Sequence, residues 1–320
     1  PEISISSPPV FPVVSFEPLR SLFGANAWLG WTITGIGDFN ADGFEDLALG
    51  SNNASFSLIN SGAVVVIWGT ILDDSFKPTS LLPNISVGLI IAGSLAYQRL
   101  GASITGRCDL NNDGIVDIAM GCYASINKRV VFVLFGRHQH NWPSSGIITS
   151  DDLADGIHGF ALFSPATGSS SFGIALSCVG DYNGDAFNDL LVGDYWNNRA
   201  HLIYGRSSWP YIVRNCSITF ISSTPNDGGL GVNVEKIDLN LDGHVDLAID
   251  EWKADSGRGR VHVIWGGRST PLPQVVSLPV TSDLDGFYIS TTMNGSTIGY
   301  AMATGDINGD KSDDFIISAP

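Results

Sequence analysis

The segment DFNADGFEDLALG, residues 38–50, recurs four more times along the chain and decides the fold. Its starting points are 71, 72, 57 and 68 residues apart, so the repeating unit averages 67 residues. The other copies align without gaps and are DLNNDGIVDIAMG from Asp109, DYNGDAFNDLLVG from Asp181, DLNLDGHVDLAID from Asp238 and DINGDKSDDFIIS from Asp306. Self-similarity at such a period is the signature of a repeat architecture.

Each unit carries further markers around this segment. A hydrophobic residue and a glycine precede it by seven or eight residues, as in Leu29-Gly30. In four units a β-rich run that ends in an aromatic residue and a glycine follows it, as in VVVIWG up to Gly69, and a less regular apolar run comes next. Each unit therefore predicts four short strands, with the Asp-rich segment as the loop between the first and the second.

Four strands alone make a sheet that cannot bury both of its faces. Sheets arranged radially cover one another and leave only short edges. The sequence therefore predicts an all-β protein, a β-propeller of four-stranded antiparallel blades with five repeats visible. The aromatic residues that close the third strand share one register, and we expect them to pack between the sheets: Trp68, Phe135, Tyr204 and Trp265.

The repeat resembles a known family. Hydrophobe–Gly, then DxNxDGxxD, then a strand that ends in small residues resembles the FG-GAP repeat of integrin α-subunit propellers, and it is similar also to secreted bacterial and protist proteins built from that repeat. The resemblance extends from about Phe23 to Pro320. It implies an extracellular propeller, usually of seven blades, with Ca²⁺ in loops on one face.

Aspartates occupy positions 1, 5 and 9 of every loop, and asparagine occupies position 3. Ca²⁺ takes six to eight hard oxygen ligands, and alternate residues of a tight loop can direct oxygens at one centre. The predicted side-chain ligands are Asp38, Asn40, Asp42 and Asp46; Asp109, Asn111, Asp113 and Asp117; Asp181, Asn183, Asp185 and Asp189; Asp238, Asn240, Asp242 and Asp246; and Asp306, Asn308, Asp310 and Asp314. Position 7 would add a backbone carbonyl from Phe44, Ile115, Phe187, His244 and Ser312.

The EF-hand shares the DxNxDG string but requires a bidentate Glu at position 12. Position 12 is apolar in all five loops and is occupied by Leu49, Met120, Val192, Ile249 and Ile317. The EF-hand is therefore excluded. A single loop of this composition would also be compatible with a turn that binds no metal, but five copies of one acid pattern favour calcium.

The charge balance agrees with four or five bound calcium ions. The chain has a formal net charge of −16, and the five loops supply 15 of its 32 acidic residues. Such a balance argues against nucleic acid as a partner, because phosphates would be repelled. Two loops depart from the pattern, since Ala186 and Lys311 replace the glycine of position 6, where a positive φ is expected. Lys311 also places a positive charge beside the ion.

The compartment is predicted to be extracellular or the cell surface. Four sequons make Asn53, Asn84, Asn215 and Asn294 candidates for glycosylation. The cysteines allow three pairings, which stay open: Cys108, Cys122, Cys178 and Cys216. Cys108 and Cys178 lie in inward, strand-like contexts, where free buried thiols are common. No apolar stretch is long enough to span a bilayer.

No catalytic motif is found: GxSxG, HExxH and a phosphate-binding glycine loop are absent from the sequence. We therefore expect a non-catalytic adhesion or recognition module that binds a protein or a glycan. The alternatives are a structural subunit of a surface fibre, built from copies of itself by strand exchange, and the accessory propeller of a secreted hydrolase. Five tryptophans near loops are candidates for lining a binding face: Trp28, Trp142, Trp196, Trp209 and Trp252.

The domain organisation is predicted as an extended segment at residues 1–27 and a calcium-binding propeller at residues 28–320. The fifth repeat stops after its second strand, at DFIISAP. Glu2–Ser6 and Pro12–Phe16 have the right length to be the missing strands. They would complete the fifth blade of their own chain or cap that of a neighbour, unless further blades lie outside the 320 residues.

Overall fold

The structure, a computed structural model, describes residues 23–320 except 25, 57, 70–86, 123–129, 154, 167–169, 224–227, 281, 283–284 and 311. Its strands are β1 (Thr32–Gly37), β2 (Asp46–Ser51), β3 (Ala63–Ile67), β4 (Gly88–Ala92), β5 (Leu100–Cys108), β6 (Asp117–Cys122), β7 (Val130–Leu134), β8 (Ile147–Thr149), β9 (Gly159–Phe163), β10 (Leu176–Gly180), β11 (Asp189–Asp194), β12 (Arg199–Ile203), β13 (Ile212–Val213), β14 (Ile218–Ser222), β15 (Leu230–Ile237), β16 (Asp246–Glu251), β17 (Arg260–Ile264), β18 (Val275–Leu278), β19 (Gly286–Ser290), β20 (Met302–Gly305) and β21 (Asp314–Ile317). Short helical turns lie at Gln139–Asn141, Ser150–Leu153, Tyr195–Asn197 and Ala254–Gly257.

The first four units each form an antiparallel blade of four strands, as predicted. In the first unit β1, β2, β3 and β4 pair in that order, and the same order is kept by β5, β6, β7 and β9, by β10, β11, β12 and β14, and by β15, β16, β17 and β19. In the fifth unit the described strands are β20 and β21. The chain is a β-propeller whose Asp-rich loops each join the first two strands of a blade.

The cores lie between successive blades. Strands such as β6 are buried along their whole length, because each sheet is covered on both faces. The contact between the first two blades includes Trp68 and Met120, and that between the next two includes Phe135 and Phe172. Trp68 and Phe135 are therefore packing residues, as predicted, while Tyr204 and Trp265 are half-buried.

Small residues at the end of the second strand allow the blades to approach closely. A Cβ atom added to Gly50 would lie 2.2 Å from the carbonyl oxygen of Gly101 in the next blade. The same clash would occur at Gly121 and Gly193 in the following two blades. At these three positions the carbonyl of the glycine in the hydrophobe–Gly pair thus packs against the glycine at the end of the second strand in the preceding blade.

Three of the blades contain a fifth strand that the sequence did not predict. The connection between the third and fourth strands of each following unit crosses to the preceding blade and pairs in parallel with its outer strand. In this way β8 pairs with β4, β13 with β9, and β18 with β14. The added strand covers the outer edge of each sheet, which would otherwise expose unpaired backbone groups.

The inner strands of the second and third blades are joined by a disulfide between Cys108 and Cys178, whereas Cys122 and Cys216 are free thiols. The expectation that Cys108 and Cys178 lie among free buried thiols is wrong. The two residues are brought together, with Cα atoms 5.5 Å apart, only when the blades pack side by side. A sequence separation of 70 residues gives no signal for that contact.

Replacing Cys108 with Ser should destabilise the chain by about 2–5 kcal/mol, because the bond restricts a long loop of the unfolded chain. Thermal unfolding of the oxidised protein measures this, with Cys216→Ser as the matched control that removes a free thiol. Equal melting temperatures for the two variants would show that the Cys108–Cys178 bond does not contribute.

The N-terminal segments Glu2–Ser6 and Pro12–Phe16 lie outside the described residues, so their proposed role as strands and the domain boundary near residue 27 stay predictions. No helix in the described part of the chain is long and apolar enough to cross a membrane.

Candidate metal-binding loops

The Asp-rich loops place the oxygens of positions 1 and 3 next to each other. In the first loop the N–H of Asp42 donates to Asp38 Oδ1 at 2.9 Å and to Asn40 Oδ1 at 3.1 Å. The same pair of hydrogen bonds recurs in the other four loops, from the N–H groups of Asp113, Asp185, Asp242 and Asp310. Two predicted ligand oxygens therefore converge in every repeat.

Positions 5 to 7 complete the turn. The N–H of Gly43 donates to the second oxygen of Asp38 at 2.8 Å, and the N–H of Phe44 donates to Asp42 Oδ1 at 3.0 Å. In the third loop Ala186 takes the place of this glycine with a φ of +73° and makes the same bond at 2.8 Å. The expected positive φ at position 6 is confirmed there, whereas Lys311 lies outside the described residues.

Position 4 also has a positive φ, which was not predicted from the sequence. The φ angles are +55° at Ala41, +54° at Asn112 and +57° at Leu241. A signal was present, because the other two loops carry Gly184 and Gly309 at this position. The non-glycine residues at position 4 are conformationally strained, and the hydrogen bonds around them hold the turn in place.

In the first four loops the aspartate of position 9 is buried and connects the loop to the third strand. Asp46 accepts the N–H of Phe39 at 2.9 Å with Oδ2 and the N–H of Gly69 at 2.7 Å with Oδ1. The bond to the glycine recurs in the next three units, from Gly136, Gly205 and Gly266. The glycine that ends the third strand therefore holds that strand against the loop, a role that was not predicted for it.

Burial acts strongly on these carboxyl groups. Desolvation raises the pKa of Asp46 to about 6 and that of Asp189 to about 7, although backbone N–H groups act in the opposite direction. Desolvation also raises the pKa of Asp117 and Asp246. The charge of Asp42 adds to the rise at Asp46. The backbone N–H groups thus compensate only part of the cost of burying each of these charges.

Two exposed aspartates of position 5 show the opposite pKa shift. The N–H of His244 lowers the pKa of Asp242, and the N–H of Ser312 lowers that of Asp310. In the fourth loop the pKa of the exposed Asp242 is therefore lowered, whereas that of the buried Asp246 is raised.

The donor set fits a calcium ion in type. Each loop offers three carboxylates and one amide oxygen, and none of the twelve aspartates in the first four loops forms an ion pair with a described residue. Across the described ranges no three His, Cys, Asp or Glu side chains meet as a closed metal site. The buried carboxylate of position 9 faces backbone N–H groups, so the convergence seen in the loops is that of positions 1 and 3. The backbone-carbonyl ligands of position 7 stay predictions.

The five tryptophans fall into different environments. Trp28 is 55% exposed and Trp196 is 45% exposed, as a binding face would require, and Trp252 is half-buried. Trp142 and Trp209 are each 5% exposed and pack in the core, so their assignment to an exposed face is wrong. Both lie in the connection between third and fourth strands, which the sequence alone presented as an ordinary loop.

The sequons also differ. Asn215 and Asn294 are exposed. Asn53 is half-buried, and its Nδ2 donates to the carbonyl of Asn26 at 2.7 Å, so a glycan there would displace this bond. Asn84 lies outside the described residues. Glycosylation at all four sites stays a prediction.

One buried polar network was not anticipated. Glu251 accepts a hydrogen bond from Ser222 of the third blade, and His262 Nε2 lies 2.9 Å from its other oxygen. Burial acts to raise the pKa of Glu251, but the hydrogen bonds from His262 and Ser222 outweigh it and hold the pKa below its ordinary value. All three side chains are buried, so the network joins two blades rather than facing a ligand.

Comparison with known proteins relates the chain to two groups. It is 29% identical to integrin alpha pat-2 of Caenorhabditis elegans over 139 residues, which is 41% of this chain and 10% of that protein. It is 30% identical to phosphatidylinositol-glycan-specific phospholipase D of Homo sapiens over 187 residues, which is 55% of this chain and 20% of that protein. It is 24% identical to integrin alpha-5 of Xenopus laevis over 221 residues, which is 67% of this chain and 19% of that protein.

No protein-family model matches the chain. The chain spans about a fifth or less of the length of these curated relatives. At modest identity it is related to integrin α chains and to the phospholipase, which agrees with its propeller fold.

Proposed function

We propose that the chain is an extracellular, calcium-stabilised propeller of the FG-GAP type that acts as an adhesion or recognition module and performs no catalysis. The observation that carries the proposal is the recurrence of one loop geometry in five units, with no ion-pair partner for the aspartates of the first four loops among described residues. Calcium would be held by the aspartates and asparagines of positions 1, 3, 5 and 9. It would supply the positive charge that these loops lack.

Three observations support an extracellular location. The disulfide Cys108–Cys178 is stable in an oxidising compartment. Open loops of this kind match the weak calcium affinities of extracellular modules. The relatives include integrin α chains. The exposed rings of Trp28 and Trp196 offer contact surface for a protein or glycan ligand.

Adhesion can be tested with beads coated with the folded chain, applied to cultured cells and to immobilised matrix proteins. We expect binding in the presence of calcium and its loss in chelator, while beads coated with heat-denatured chain do not bind. Calcium-independent binding, or none to either surface, would contradict the adhesion proposal. Release of phosphatidylinositol-glycan-anchored protein by the chain would contradict its non-catalytic part.

A second candidate function is a structural subunit that assembles with copies of itself. Within the chain, each of the first three blades accepts a short strand from the following unit at its outer edge. The same kind of strand addition between chains would give a polymer. Light scattering of the native chain distinguishes the two candidates, since strand exchange predicts polymers that grow with concentration. The similarity to the phospholipase leaves a weaker third candidate, the accessory propeller of a secreted hydrolase.

A further inference from the structure

At the first two junctions between blades, a tryptophan covered by an arginine fills the space next to the Asp-rich loops. Between the first and second blades, the ring of Trp142 lies 5.2 Å from that of Phe39 and 6.3 Å from that of Trp68. The guanidinium of Arg137 covers the same indole at 4.4 Å. Phe39 is position 2 of the first loop, and Trp68 is the aromatic residue that closes the third strand.

The second junction repeats this arrangement. Trp209 stacks on Phe160 with ring centroids 3.8 Å apart, and Arg206 covers it at 4.6 Å. The indole Nε1 of Trp209 donates to the carbonyl of Leu110, which is position 2 of the second loop. An arginine over a buried tryptophan therefore closes both of these junctions.

The third junction keeps the walls but lacks the tryptophan. Tyr182 occupies position 2 of the third loop, and Tyr204 closes the third strand of that blade. Arg268 of the next blade corresponds to Arg137 and Arg206, although one additional glycine separates it from the aromatic–Gly pair. The residues that follow Arg268 are Ser-Thr-Pro-Leu, so no tryptophan follows it as Trp142 and Trp209 follow the other two arginines. A cavity of about 550 Å³ lies here, lined by Tyr182, Tyr204, Arg268 and Leu272 among others.

The walls of this cavity are held in place by their own contacts. The hydroxyl of Tyr182 donates to the carbonyl of Trp265 at 2.9 Å, and Nη2 of Arg268 forms an ion pair with Asp285. Nε and Nη1 of Arg268 are buried and have no hydrogen-bond partner among the described residues. No described aromatic ring lies under its guanidinium, in contrast to Arg137 and Arg206. The contacts of Tyr182 and Arg268 thus fix two walls of the cavity and leave the place of the tryptophan open.

We propose that this cavity, the Tyr182–Arg268 pocket, binds an aromatic side chain, and an indole best, from a partner polypeptide. The ring would lie where Trp142 and Trp209 lie at the other two junctions, between a tyrosine wall and the arginine. A volume of about 550 Å³ exceeds a single ring, so the pocket also admits flanking backbone. Thr270, which also lines the pocket, supplies a hydroxyl group for that backbone. Buried aromatic anchors of this kind dominate protein recognition.

The inference is independent of the adhesion proposal, because it rests on the packing pattern of the junctions and names no cell-surface ligand. A second copy of the chain is one polypeptide that could supply the ring, and the test identifies that case by self-association.

The test is calorimetric titration of the full chain, in calcium, with N-acetyl-L-tryptophanamide and with a short peptide that contains one tryptophan. The decisive variant is Leu272→Trp, which supplies the missing indole from within the chain and leaves both tyrosines in place. The matched control is Leu95→Trp, which makes the same change at an exposed residue of the first blade. Tyr204→Leu is a second variant that removes one wall of the pocket.

We expect the peptide to bind more tightly than the amide. Leu272→Trp should weaken the affinities for the peptide and for the amide by about tenfold or more, whereas Leu95→Trp should leave both affinities unchanged. Tyr204→Leu should weaken binding even if Leu272→Trp does not fold. Concentration-dependent self-association that Leu272→Trp abolishes would identify the partner as a second copy. No binding by the wild-type chain, or equal affinity in wild type, Leu272→Trp and Tyr204→Leu, would overturn the proposal.

Discussion

Removing calcium with excess chelator should lower the melting temperature of the chain by about 15 °C. An ion that binds only the folded state at about 100 times its Kd stabilises that state by about 2.7 kcal/mol, so four ions contribute about 10 kcal/mol. A chain of this length shifts its melting temperature by about 1–2 °C per kcal/mol. Differential scanning fluorimetry with and without chelator measures the effect.

Two controls make this result specific. Adding back calcium in excess should restore the melting temperature, whereas magnesium should restore little of it, because Mg²⁺ demands near-ideal octahedral geometry and releases its waters reluctantly. A melting temperature that chelator leaves unmoved would mean that the five loops are ordinary turns. Their hydrogen bonds to N–H groups would then be sufficient to hold them.

The second large effect is expected from Asp42→Ala in the first loop, compared with Glu45→Ala three residues later. In calcium, Asp42→Ala should destabilise the chain by about 2–3 kcal/mol and release one ion, because it removes a ligand oxygen. Glu45 is 66% exposed and pairs with Arg107 on the surface, so its loss should cost about 0–1 kcal/mol. Both variants remove one negative charge from the same loop.

Repeating the comparison in chelator sharpens it. The charge of Asp42 raises the pKa of the buried Asp46, so without metal its removal relieves a repulsion. We therefore expect the difference between Asp42→Ala and wild type to shrink or change sign in chelator. If Asp42→Ala destabilises equally in calcium and in chelator, the carboxylate serves the turn and not a metal.

The sequence predicted the repeated parts of the fold, whereas the calcium chemistry of the loops stays a prediction. The five aligned segments located the loop between the first and second strands of every unit. The apolar residue at position 12, such as Leu49, indicated a strand rather than the helix of an EF-hand, and Leu49 lies in β2. These features are local, because each is encoded within about fifteen residues and is repeated. The strand order of the first four blades follows directly from them.

The features that the sequence did not predict depend on contacts between units. The parallel strand β8 consists of three residues, too short to be distinguished from a loop until the neighbouring blade is in place. The disulfide Cys108–Cys178 and the burial of Trp142 and Trp209 likewise arise where one blade packs against the next. No local pattern encodes the distance between two blades, so these contacts become visible only in three dimensions.

Counting the calcium ions on the folded chain shows directly whether each loop holds one. Native mass spectrometry of the chain, after dialysis against calcium and removal of free ions, gives the number bound per chain. We expect four or five, with the loop from Asp306 to Asp314 as the one most readily emptied, because Lys311 lies within it. Two ions or fewer would contradict this expectation.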